Sequence, residues 1–213
     1  IVVNGEIQIL GAGTTTITAS QAGNDSYEAA VSVPQDLVVS PAPLTIAAQD
    51  KSKVFAEPSN PDPALTFTVS GLVNGETTDV ITPITIGRVA GENAGTYAIS
   101  TTGGASANYT SSRSGGTFTI AKASPTISIS PDPIPNQVFG NPPLQLTAIH
   151  SAGLWIKWHS TSTNVVAVSS NGLAAITGVG GSTIFASHPG NSNYNATSID
   201  RNLTVSSAQP TIT

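Results

Sequence analysis

The sequence predicts an all-β chain organised as a linear array of small sandwich domains, and three observations carry that reading. First, one stretch occurs twice: residues 4–38, NGEIQILGAGTTTITASQAGNDSYEAAVSVPQDLV, line up with residues 171–204, NGLAAITGVGGSTIFASHPGNSNYNATSIDRNLT. Asn4, Gly11, Ile17, Ala19, Gly23 and Tyr27 fall on Asn171, Gly178, Ile184, Ala186, Gly190 and Tyr194 at one offset of about 167 residues. A single gap then brings Leu37 onto Leu203. Second, apolar residues alternate with polar ones over short runs, and no stretch sustains a helical period. Third, proline-led openings recur: Ala-Pro-Leu-Thr-Ile at 42–46, Ala-Ser-Pro-Thr-Ile at 123–127 and Ala-Gln-Pro-Thr-Ile at 208–212. Their spacings of about 80 and 85 residues suit a small β-domain.

These openings place boundaries near 41, 123 and 207. Residues 1–41 then form the C-terminal part of one domain, 42–123 and 124–207 are whole domains, and 208–213 is the first strand of another. In the first segment, Asn4-Gly5 between Ile1–Val3 and Ile7/Ile9 marks a hairpin. Thr14–Ser20 alternates around Ile17 and Ala19, Leu37–Val39 closes the unit, and Pro41 with Pro43 stiffens the exit.

In the second domain Leu65, Phe67 and Val69 share one strand face, and Gly95–Ile99 and Gly116–Ile120 are glycine-led strands. Glu76–Ile81, after Asn74-Gly75, predicts one short helical turn. In the third, Leu144, Leu146 and Ala148 make one alternating strand, Ile156 and Trp158 another, and Val166 and Val168 a third. Adding 173–177, 181–187 and 199–206 gives about seven strands, enough for a two-sheet sandwich.

Composition narrows the function. Charged residues make up only 9% of the chain, and a net charge of −5 comes without a basic cluster. That argues against nucleic acid and against anionic membrane surfaces as partners. No apolar run approaches the length of a membrane span, so no membrane insertion is expected in this segment. The chain has no cysteine, which points to a lineage that does not rely on disulfides for stability outside the cell.

Candidate chemistry is sparse. His150, His159 and His188 stand alone in sequence and are expected on the surface, with no ligand set for zinc. No two acidic residues are spaced i, i+2, so a calcium site in a linker would have to gather around Asp132 and lacks the oxygens. There is no Gly-x-Ser-x-Gly elbow and no histidine beside an orienting carboxylate. No catalytic, cofactor-binding or metal-ligating residues are therefore expected, and the chain does not read as an enzyme. One surface contact stands out. In the strand 154–160, Ile156 and Trp158 should face inward, leaving Trp155, Lys157 and His159 outward. Trp155 beside His159 could stack on a sugar ring; more simply, it lies over the neighbouring hairpin or packs at a domain junction.

The run LTFTVSGLVNGET, then AGENAGTYAI, NYT and GGTFTIAKA, resembles the MBG domain of large bacterial surface proteins. The chain departs where that family usually has Tyr-Gly followed more closely by Asp-Pro: here Phe55-Ala56 stands with extra residues before Asp62-Pro63. PTISI, IPNQVFGNPPLQLTA, SAGLWIKWHSTSTNVVAVS and the repeated NG…G-x-G…TI-x-AS…GN-x-x-Y resemble a bacterial Ig-like domain. Alternating Ig-like and MBG domains imply the shaft of a giant adhesin of Bacteroidota type. Such a shaft lies outside the cell, is anchored through another part of the parent chain, needs no cofactor, and has its own neighbouring repeats as partners. Two rival expectations are a subunit of an extracellular filament or sheath, assembled through lateral β-edges, and a carbohydrate-binding module using Trp155 and His159.

Overall fold

The computed structural model describes residues 2–3, 5–56 and 61–210. Ile1 and Asn4 of the expected first hairpin, residues 57–60 of the loop that departs from the MBG pattern, and residues 211–213 of the expected last strand lie outside the described residues. Every regular element described is a strand except one 3-10 turn, and among the described residues no helix is long and apolar enough to cross a membrane. The chain packs into two compact units. One comprises residues 1–52, 61–91 and 96–119, and the other residues 53–60, 92–95 and 120–213.

The first unit begins with two hairpins. β1 (Val2–Val3) pairs antiparallel with β2 (Glu6–Ile7), and β3 (Gly13–Ala19) pairs antiparallel with β4 (Val33–Val39). Each is a two-stranded sheet, so Ile7, Ile9, Leu10, Val33 and Val38 stay exposed. Next come β5 (Ala42–Ala48), β6 (Lys51–Val54), β7 (Phe67–Ser70), β8 (Thr85–Arg88), β9 (Gly95–Thr102), β10 (Tyr109–Ser114) and β11 (Gly116–Ala121). They form two sheets, ordered β10-β5-β7 and β6-β11-β9-β8. β5 runs parallel to β10 and antiparallel to β7. Its period of two sends Leu44 and Ile46 inward between exposed Pro43 and Thr45. There they meet Ile81 and Tyr109, flanked by Phe67, Val69, Leu72 and Ile84. The helical turn expected over Glu76–Ile81 is a 3-10 turn at Thr78–Val80, capped by Thr77, whose hydroxyl accepts the Asp79 N–H at 3.4 Å.

The second unit is the sandwich proper: β12 (Ile127–Ser130), β13 (Gln137–Val138), β14 (Leu144–Gln145), β15 (Thr147–His150), β16 (Lys157–Ser160), β17 (Val166–Val168), β18 (Leu173–Ile176), β19 (Gly180–His188) and β20 (Thr197–Ser206). The sheets run β13-β20-β19-β16, β14-β18-β17 and β12-β15. Between them Ile127, Ile129, Leu146, Val166, Ile184, Leu203 and Val205 form one core, with Ile156 and Trp158 packed against it. The strand expected through Leu144, Leu146 and Ala148 is in fact two. β14 pairs with β18 and β15 with β12; the chain changes sheet at Leu146, whose N–H donates to Gly172 O at 2.9 Å. Alternation reports which side chains are buried, and all three can stay inward while the backbone changes partner.

The repeated stretch folds the same way twice. In β3–β4, Gly13 pairs with Val39 and Thr15 with Leu37; in β19–β20 their counterparts Gly180 and Ser182 pair with Val205 and Leu203. The Gly-Asn-x-x-Tyr turn is also built twice. Asn24 Oδ1 accepts the N–H groups of Ser26 and Tyr27 at 2.9 and 3.0 Å, and Asn191 Oδ1 accepts those of Asn193 and Tyr194 at 2.9 Å each. Gly23 and Gly190 sit at φ of +76° and +81°, and a Cβ on either would fall 2.6 or 2.7 Å from the Tyr27 or Tyr194 carbonyl oxygen. Only glycine fits there.

Candidate surface site around Trp155

β16 and the three residues before it divide by strand period. Ile156 and Trp158 enter the core, while Trp155, Lys157 and His159 face outward. Trp155 is 60% exposed, and its indole meets the His188 ring edge-on with centroids 4.8 Å apart. Behind His188 lies His150, ring centroids 5.3 Å apart. The row Trp155–His188–His150 thus leads from the surface into the second unit.

This corrects, for His150 and His188, the expectation that the histidines stand alone on the surface; His159 is exposed as expected. His150 and His188 are each 3% exposed. His188 ends the buried alternation Ser182, Ile184, Ala186 of β19, and His150 ends β15. The fold brings two strand ends together that are far apart in sequence. His150 Nδ1 accepts the Ala152 N–H at 3.1 Å and His188 Nδ1 accepts the Gly190 N–H at 3.0 Å. Those bonds assign the proton of a neutral ring to Nε2, so neither Nε2 offers a lone pair to a metal. His150 Nε2 is buried without a hydrogen-bond partner. Burial, with a smaller contribution from His188, pulls the His150 pKa below the usual 6.5.

A pH dependence follows. The unfolded chain takes up a proton at His150 near the ordinary value of about 6.5, whereas the folded one resists it. Stability is therefore full above that value and is lost as pH falls toward the lower folded pKa. Thermal melts followed by tryptophan fluorescence should show the Tm of the second unit falling between pH 8 and pH 5. His150→Gln is expected to flatten that slope; an unchanged slope would remove His150 as its source.

Trp155, Lys157, His188, Pro189, Thr197 and Ser198 line an open groove of about 510 Å³. It offers one aromatic face, hydroxyls and a cation, but no carboxylate, so it holds no acid–base pair for glycoside cleavage. His159 lies outside this groove, beside Phe185 at 6.2 Å. The structure places Trp155 and His159 on one face without joining them in one site. Asp132, the residue around which calcium would have to gather, receives Arg201 on both oxygens, Nε to Oδ1 at 2.6 Å and Nη2 to Oδ2 at 2.7 Å. Those hydrogen bonds hold its pKa below the usual carboxylate value. Among the described residues, no group of three or more His, Cys, Asp or Glu is placed to hold a metal ion.

Sequence reasoning passed over Arg88. Its side chain is only 9% exposed, with Nε 2.5 Å from Asp62 Oδ2 and Nη1 donating to the carbonyls of Val89 and Gly91. Its guanidinium lies over Phe118 at 4.6 Å and Tyr97 at 5.4 Å. The available signal was its place beside Gly87 in an alternating strand, which makes Arg88 an inward position. A second omission is Tyr109, whose hydroxyl donates to Glu76 and accepts the Val73 N–H at 3.0 Å. The Glu76 hydrogen bond, first among the causes, raises its pKa.

Comparison with solved structures finds the crystal structure of Drosophila N-cadherin EC1-3, 10% identical, covering 83% of this chain and 74% of that one at a TM-score of 0.30. No curated protein sequence matches the chain. Residues 44–119 match the model of the MBG domain (YGX type), which bears out the resemblance read from that stretch: the middle of this chain is of the MBG family.

Proposed function

We propose that this chain is a non-enzymatic stalk segment of a large bacterial surface adhesin, holding a distal binding region away from the cell. The observation that supports this most is the same β-hairpin and turn, built in the same register at two places about 167 residues apart. Such repetition suits a unit whose task is length, since stacked repeats contribute span without a dedicated site. An MBG domain at residues 44–119 and a low charge density agree with it. Partners are then neighbouring domains of the same polypeptide, and the location is the cell exterior.

A second reading, lateral assembly into a filament or sheath, is favoured by the open edges of the two-stranded β3–β4 sheet and by exposed Val33 and Val38. A sugar-binding role rests on the Trp155 groove alone. Electron microscopy with light scattering, on chains lengthened by whole domains, separates the first two. Thin rods of monomer mass that grow with each added domain pair support the stalk; bundles that grow with concentration would sink it. Glycan binding abolished by Trp155→Ala would establish the third reading.

A further inference from the structure

The turn at Gly190–Ala196 is covered in the second unit by two loops drawn from the MBG stretch. Phe55, 7% exposed, meets the Tyr194 ring edge-on at 5.3 Å. The Ala94 N–H donates to Asn193 Oδ1 at 2.9 Å, and Asn193 Nδ2 donates to Asn93 Oδ1 at 3.0 Å. The strand exit joins in: the Ala123 N–H donates to Asn193 O at 2.9 Å, the Asn195 N–H donates to Ala123 O at 2.8 Å, and Lys122 Nζ reaches Asn191 O at 2.7 Å. Tyr194 and Asn193 are half-buried as a result.

The turn at Gly23–Ala29 has the same backbone, the same Asn bridge and the same glycine requirement, yet Tyr27 is 75% exposed. Ser26 stands where Asn193 does. Its hydroxyl keeps an acceptor for an N–H like that of Ala94 and gives up the reach to Asn93. Tyrosine is an apt docking residue, since its ring buries apolar area without much conformational cost.

We propose that the Gly23–Ala29 turn is a docking surface for a domain of the same kind as residues 42–122. That domain would be seated through its counterparts of Phe55, Asn93 and Ala94, as on the Tyr194 turn. The occupant is argued from the molecule itself, because within the second unit the one covered example of this turn is covered by two loops of that stretch, at Phe55 and at Asn93–Ala94. The inference rests on the stalk reading and gives it a partner.

The test uses a lengthened chain in which residues 1–170 run directly into residues 4–213 of a second copy, so that Tyr27 of the second copy stands at the position of Tyr194. The protein contains no cysteine, so introduced pairs can be read cleanly. Ala94→Cys with Asn193→Cys in the natural chain is the reference. Ala94→Cys of the first copy with Ser26→Cys of the second is the trial, each treated with a short thiol cross-linker. Intramolecular cross-linking of the trial pair at about the reference yield supports the proposal. A chain that melts cooperatively but does not cross-link, while the reference does, overturns it. So does a chain that fails to melt cooperatively, since the two turns must be interchangeable. If neither pair cross-links, the melts decide: Tyr27→Ala of the second copy must lower Tm as much as Tyr194→Ala does in the natural chain, and no shift overturns the proposal. Filaments seen by microscopy would sink the stalk reading while leaving this cross-link intact, so the two failures are distinct.

Discussion

Replacing Phe118 with alanine is expected to destabilise the first unit by about 3–5 kcal/mol. Phe118 is fully buried on β11, so the substitution leaves a cavity where the ring stood. It also removes the floor on which the Arg88 guanidinium lies at 4.6 Å. A desolvated cation over an aromatic face contributes about 2 kcal/mol, so part of the loss belongs to the pair and not to the ring alone. A double-mutant cycle with Phe118→Leu and Arg88→Met separates the two and is expected to give a coupling of about 1–2 kcal/mol. Both tryptophans, Trp155 and Trp158, lie in the second unit. The loss should therefore appear in urea melts followed by circular dichroism, while the tryptophan signal keeps its midpoint. A coupling near zero would mean that Arg88 is held by Asp62 and the carbonyls, with the rings as bystanders.

The second large effect compares one residue with its own repeat. Leu203→Ala is expected to cost the second unit about 2–5 kcal/mol, because Leu203 is 1% exposed between two sheets. Leu37→Ala, at the matching position in the matching register, is expected to cost under about 1 kcal/mol. Leu37 is only half-buried, and the β3–β4 hairpin is a two-stranded sheet whose side chains are mostly exposed. Tryptophan-detected urea unfolding reads the first change, and circular dichroism reads the second. Equal losses at the two positions would show that the β3–β4 face is covered in solution as the β19–β20 face is.

Local chemistry was the legible part of this chain. The period-two face of Phe67/Val69 and the inward Trp158 follow from rules that act within a few residues. So does the 3-10 turn, found inside the stretch where a helical turn was expected. What escaped depends on which strand ends meet. His150 and His188 read as solitary because no local spacing joins them, though the alternation through Ile184 and Ala186 already marked His188 as an inward position. The break at Leu146 escaped because burial alternation continues across a change of sheet. Arg88 escaped because Ile86 is the one large apolar side chain that marks the period of its strand, although guanidinium is the cation best suited to lie between rings and carbonyls. For the groove, sequence reasoning named Trp155 but paired it with His159, the nearer neighbour in the strand and not in space.

The pairing of β13 with β20 has a mechanical consequence. The two strands run parallel, with Gln137 opposite Val205 and Val138 opposite Ser206, and the Phe139 N–H continues the ladder to Ser206 O at 2.8 Å. An early strand and the closing strand of this unit therefore point the same way. Tension drawn along the chain pulls one backward and the other forward, so these hydrogen bonds are loaded together in shear. An antiparallel hairpin pulled from its open end would give them up one at a time, like a zipper. Once tension reaches β13, a pull on the closing strand of the second unit therefore loads the bonds of this ladder together and not one by one.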